Sequence, residues 1–115
     1  MTLNTMAKEC HELAIRKGWY DTDRELPELI ALMHSELSEA LEAYRDSDGE
    51  GIQDIWFVGG PESEGKPEGI AIELVDCIIR ILDCAGHFGI DLDAAYEAKM
   101  RYNQTRPYRH GGKRV

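Results

Sequence analysis

Between Ala71 and Phe88 the chain is apolar at almost every position, yet Glu73, Asp76, Arg80 and Asp83 recur along it at helical spacing. On a helix these four fall on a stripe about 80° wide. Ile72, Leu74, Val75, Cys77, Ile78, Ile79, Ile81 and Leu82 cover roughly 240° of the remaining circumference. Such a helix must be covered on most sides. Its narrow acidic stripe is therefore expected to face an internal polar site rather than bulk water.

A second segment, "LMHSELSEALEAYR" at residues 32–45, has the same peculiarity. Leu29, Leu32, Met33, Ala40 and Ala43 fall within roughly 60° of Glu36 on a helical wheel. Glu39 lies at the edge of that face. A carboxylate inside a packing face costs free energy unless something neutralises it. Two helices thus each carry acids at i and i+3, Glu36 with Glu39 and Glu73 with Asp76, which project side by side from one helix face. Packed antiparallel, the two pairs converge. Such acid pairs are either solvated faces or one shared site, and four carboxylates in one pocket cannot all stay ionised without cations. An all-oxygen set suits a hard ion, Mg²⁺ or Mn²⁺. A di-iron bundle carries Glu-x-x-His on its helices, and neither Glu36 nor Glu73 has His at i+3.

The 115 residues suit one domain spanning 1–115, and 43% hydrophobic with 30% charged residues reads as a globular chain. Helices are expected over about 3–17, from Pro27 to Arg45, from near Pro67 to about His87, and from a cap at Asp91 or Asp93 to about Gln104. Gly18 and Gly89 act as breakers. Residues 46–67 form an irregular insertion whose apolar burst "IWFV" is a short strand or a loop edge. The expected class is all-α, a small four-helix bundle-like fold. No apolar run reaches the roughly 18 residues of a membrane span, and the N-terminal stretch lacks a signal peptide's apolar core, so a cytoplasmic location without membrane contact is expected. Cys10, Cys77 and Cys84 form no CxxC and suit buried thiols in a reducing compartment.

A net charge of −9 argues against nucleic acid as a partner. Its distribution is more informative. Residues 99–115 hold six basic residues and no acid, leaving a net of −15 on the rest. Such a tail is either a solvated arm or folds toward the acids and meets them through a shared polyanion. Lys99, Asn103 and Arg106 continue one helical stripe, and lysine and arginine both suit phosphate oxygens. In "HGGK", His110 and Lys113 flank a flexible backbone able to wrap an anion. Clustered acids with divalent cations, beside a basic phosphate grip, equip a site for metal-assisted attack of water on a phosphoanhydride, with no protein nucleophile. Trp19 is a stacking face for a nucleobase or a plug at the bundle end, and His11 is a base contact or an ordinary helix histidine.

These motifs resemble the MazG-like all-α nucleoside triphosphate pyrophosphohydrolases, over nearly the whole chain. The family's ExxE and ExxD appear as "ELSE" (Glu36–Glu39) and "ELVD" (Glu73–Asp76). "CHELAIRKGWY" is similar to its first helix, and "KMRYNQTRPYRHGGKR" to its Lys-Asn-Arg phosphate-binding region. The resemblance implies metal ligands at Glu36, Glu39, Glu73 and Asp76 with Mg²⁺ preferred, and phosphate contacts at Lys99, Asn103 and Arg106. It implies cleavage of an NTP or dNTP to the monophosphate and pyrophosphate by a dimer or dimer of dimers, as in nucleotide-pool house-cleaning. Position 35 is Ser, where some relatives carry a further acid, so Glu36 or Glu39 is left to share the work of general base. The long 46–67 segment departs from the family pattern and bears on substrate choice. A phosphoribosyl-ATP pyrophosphatase and a non-catalytic helical metal-binding interaction module are the competing readings.

Overall fold

The computed structural model describes residues 1–62 and 64–109. The tail candidates His110 and Lys113 lie outside these described residues. Four helices and one small hairpin follow in the order α1 (Leu3–Arg16), α2 (Leu26–Asp46), β1 (Trp56–Val58), β2 (Lys66–Glu68), α3 (Ile70–Phe88) and α4 (Leu92–Thr105). The helix α3 is central, packing on α1 along one side and on α2 along another. The apolar content of α3 explains this position. Leu82 and Ala85 meet Ala7 in a small core, with Leu3, Met6, Cys10 and Leu92 around it.

Local chemistry sets the helix ends. Thr2 caps α1 in a reciprocal box with Thr5. Pro27 occupies the first turn of α2, and Gly89 closes α3 in the left-handed region at φ 65°. Asp91 caps α4 through the Ala94 N–H. Asp93 acts elsewhere: its carboxylate accepts from the Leu3 N–H at 2.9 Å, at the start of α1. Asn4 returns the tie by accepting from the Leu92 N–H. The N-termini of α1 and α4 are thereby pinned together.

Two expectations are corrected. Of the two readings of "IWFV" the strand is the one seen: it contributes β1, which pairs antiparallel with β2 and sets Phe57 opposite Pro67. Pro67 therefore lies in a strand and does not start α3. The helix begins after Gly69, whose φ is 130° and where a Cβ would sit 2.5 Å from the Asp54 carbonyl oxygen. Nor do the four helices form one bundle. The packing partner of α4 is α1, and no residue of α4 is buried. Its apolar residues are too sparse to build a second core-facing stripe.

Gly86 marks the closest approach of α1 to α3. A Cβ there would sit 2.7 Å from His11 Cβ and 2.8 Å from the Ala7 carbonyl oxygen. Replacing a helical glycine with alanine usually helps by about 1 kcal/mol. Here neither neighbour is a yielding side-chain tip, so Gly86→Ala is expected to destabilise by roughly 1–2 kcal/mol net. Chemical denaturation measures this directly, and a stabilised variant would refute the close contact.

The chain leaves much apolar surface uncovered. Among the described residues no large side chain is fully buried. The accessible surface is 8865 Å², against about 6,300 Å² expected for a compact monomer of this mass. The radius of gyration is 17.0 Å, against about 13 Å. Ile30, Leu37, Leu41 and Tyr44 stand exposed on one stripe of α2, and Leu74, Ile78 and Ile81 on one stripe of α3. Among the described residues no helix is long and apolar enough to cross a membrane.

Candidate metal centre

Helices α2 and α3 run antiparallel, with Met33 beside Cys77 and Glu39 beside Glu73. This register brings Glu36, Glu73 and Asp76 together: one carboxylate oxygen from each lies within 4.8 Å of the others. Glu36 is buried and the other two half-buried. Glu39, the fourth expected ligand, is exposed and stands outside this group. It adjoins Glu73 closely enough to share a hydrogen bond. Three convergent carboxylates on rigid helices form a hard, all-oxygen donor set that fits Mg²⁺ or Mn²⁺.

Mutual repulsion is visible in their acidities. Burial, then the charges of Glu39 and Asp76, raises the Glu73 carboxyl above its ordinary value. Burial and Glu36 likewise raise Asp76, partly offset by Arg80 and by Lys66 of the hairpin. A raised carboxyl binds its proton more tightly in the fold than in the unfolded chain. The metal-free fold therefore gains stability while these groups are protonated, and loses it as pH rises through their raised pKa values. A cation needs them ionised, so its stabilising effect runs the other way. We expect the Mg²⁺-induced rise in Tm to be near zero at about pH 4 and largest near neutrality. Melts in chelator and in Mg²⁺ across this range check it, and an increment independent of pH would contradict it.

A cavity of about 560 Å³ opens beside the acids, between α1, α2 and α3, within the range of small-molecule sites. Glu36 and Asp76 line its polar side together with Arg80, Asp83 and Lys17. Cys10, Leu13 and Ile79 line its apolar side, and Trp19 stands at the same cavity with the Arg24 guanidinium 5.8 Å from its ring centre. Trp19, the expected aromatic candidate, thus shares the lining of this cavity with Glu36 and Asp76.

His11 does not line this cavity. Its Nδ1 lies 2.9 Å from Asp83 Oδ1, its ring packs edge-on to Tyr20 and His87, and Tyr20 donates to Asp83 Oδ2 at 2.8 Å. Burial and that hydrogen bond hold the Tyr20 phenol above its ordinary pKa. This network fixes the end of the acidic stripe to α1 and the turn after it. Lys99, Asn103 and Arg106 also stand apart: no described residue of α4 lines the cavity. Lys99 and Arg106 lie over the Tyr102 ring, at 5.1 Å and 5.5 Å from its centre. Cys77 and Cys84 are buried, and burial pushes the Cys10 and Cys84 thiols up, away from thiolate chemistry.

Sequence reasoning overlooked the roles of Arg80 and Lys17. Arg80 Nε donates to Glu36 Oε1 at 2.6 Å, so the buried carboxylate has a cation partner within the chain. The available signal was positional: Arg80 follows Asp76 by four residues on the acidic stripe. Compared with protein-family models, with curated proteins and with solved structures, the chain finds no match.

Proposed function

We propose that this chain is a divalent-cation-dependent nucleoside triphosphate pyrophosphohydrolase of the MazG-like kind, cleaving an NTP or dNTP to monophosphate and pyrophosphate in the cytoplasm. The observation that carries the proposal is the convergence of Glu36, Glu73 and Asp76, from two antiparallel helices, beside a cavity that also holds Arg80, Lys17 and Trp19. Acids alone support cation binding. Acids, paired cations and an aromatic face at one cavity support a cation-bridged polyanion that carries a ring.

Each residue then has a role. Glu36, Glu73 and Asp76 hold the cation. When bound, a divalent cation acidifies a coordinated water and neutralises charge on phosphate oxygens. Glu39, exposed beside Glu73, accepts a proton from water. Lys17 and Arg80 bind phosphate oxygens, and Trp19 stacks on the base. The active species is a homodimer or dimer of dimers, for which the excess accessible surface and the open apolar stripes of α2 and α3 are the support.

A panel of canonical and damaged NTPs and dNTPs, incubated with Mg²⁺ and resolved by chromatography, tests this. Monophosphate with equimolar pyrophosphate is expected from at least one nucleotide. Diphosphate with orthophosphate would contradict the cleavage site, and turnover of phosphoribosyl-ATP alone would transfer the reading to that enzyme class. The Glu36–Arg80 ion pair favours a second reading, a non-catalytic helical interaction module, because it neutralises the buried acid without metal. That module predicts no product from any nucleotide.

A further inference from the structure

Arg80 and the expected cation compete for the same carboxylate. The Glu36 side chain is only 9% exposed, and its contact to Arg80 uses a single guanidinium nitrogen, Nε, at 2.6 Å. The same glutamate supplies one of the three convergent oxygens of the candidate metal centre. Arg80 is tethered less firmly than its partner, with 35% of its side chain exposed and the cavity in front of it. It lies on the stripe between Asp76 and Asp83 and lines the cavity. Its remaining guanidinium nitrogens are suited to bidentate phosphate contact.

A dication held by Glu36, Glu73 and Asp76 would repel a guanidinium on the same carboxylate. A nucleotide triphosphate entering the cavity brings the negative charge that Arg80 would have lost. We propose that Arg80 is an exchangeable counter-ion: it holds Glu36 in the metal-free protein, yields Glu36 to the incoming cation, and passes to the phosphates of the substrate. Cation and nucleotide binding are then linked through one side chain. Arg80 weakens binding of the cation alone and strengthens binding of the nucleotide. This inference rests on the proposed hydrolase reading, and it goes beyond that reading by setting an order: the cation loads poorly until phosphate is present to receive Arg80.

The test uses the full chain and two probes. Mn²⁺ alone, followed by electron paramagnetic resonance, reports cation binding without nucleotide. Steady-state pyrophosphate release reports the substrate side. Arg80→Met is expected to tighten Mn²⁺ binding about tenfold, as one unit charge leaves the neighbourhood of the dication. The same variant is expected to raise KM for the nucleotide at least about tenfold. Arg80→Lys keeps the charge and loses the fork, so it should tighten Mn²⁺ less and raise KM less. Should Arg80→Met fail to fold, Arg80→Lys carries the test, with the same two directions at smaller size.

A fixed structural ion pair predicts otherwise. Arg80→Met would then leave KM for the nucleotide at the wild-type value, and Arg80→Lys would restore wild-type values on both probes. Either result overturns the proposal. If wild type and variants all fail to bind Mn²⁺, the metal-centre reading itself fails. If all bind Mn²⁺ equally, the metal centre stands and only the exchange is refuted.

Discussion

Asp76→Asn is expected to lower Mg²⁺-dependent turnover at least about a hundredfold, roughly 2.7 kcal/mol in the barrier, while far-UV circular dichroism stays at the wild-type level. The side chain keeps its shape and loses the charge a hard cation requires. The metal-free fold should be as stable as wild type or more so, because burial and the Glu36 charge disfavour an ionised Asp76. Glu36→Gln makes an informative contrast. It should remove activity equally, but it also strips Arg80 from its partner. We expect it to destabilise the metal-free protein by roughly 1–3 kcal/mol, limited by the partial exposure of Arg80. Two ligand substitutions with the same kinetic effect and opposite effects on stability would be hard to obtain from any site in which both acids are merely solvated. Wild-type turnover in either variant would remove that residue from the metal centre.

The wild-type chain is expected to sediment as a dimer or tetramer at low micromolar concentration, with no compact monomer. Leu41 of α2 and Ile78 of α3 each stand exposed on an apolar stripe, on the helix faces turned away from the acids. Folding alone leaves these stripes in water, at about 25 cal/mol for each Å² that association could cover. An interface of homodimer size removes roughly 2,000 Å² or more in total. A double substitution, Leu41→Arg with Ile78→Arg, places like charges on both sides of a two-fold contact and should produce monomer. Activity should fall with it, and dilution of the wild type should reduce specific activity along with stability. A fully active wild-type monomer would show that one chain forms the whole site without a partner.

Local rules located most of the helices and the acids, because they act within a few residues. Pro27, Gly89 and the Asp91 cap set helix ends within one or two residues of expectation. The i, i+3 spacing put Glu36, Glu73 and Asp76 on inward faces, and the fold brings them together. Errors arose where a local signal had two physical solutions. Pro67 suits a helix start and also an edge strand, and the pairing of Phe57 opposite Pro67 selects the strand. Asp91 and Asp93 both suit a cap. Which helix each one caps depends on α1 lying alongside, which no spacing within α4 reports. Pairings across the chain were the least legible. Arg80 was visible on the acidic stripe, but its choice of Glu36 over Asp76 or Asp83 follows from the register of two helices. Lys99, Asn103 and Arg106 form a proper helical stripe, yet their helix turns out to pack on α1 and not beside the acids. A stripe identifies which residues share a face and leaves open what that face meets.

The claim that α2 and α3 build a metal centre is most directly tested by locating Mn²⁺ through its anomalous scattering in crystals of the protein soaked with Mn²⁺ and a non-hydrolysable nucleotide. A peak is expected at roughly 2.2 Å from carboxylate oxygens of Glu36, Glu73 and Asp76, with Arg80 turned from Glu36 toward the phosphates. Arg80 still bonded to Glu36, with Mn²⁺ found only on other surface acids, would contradict it.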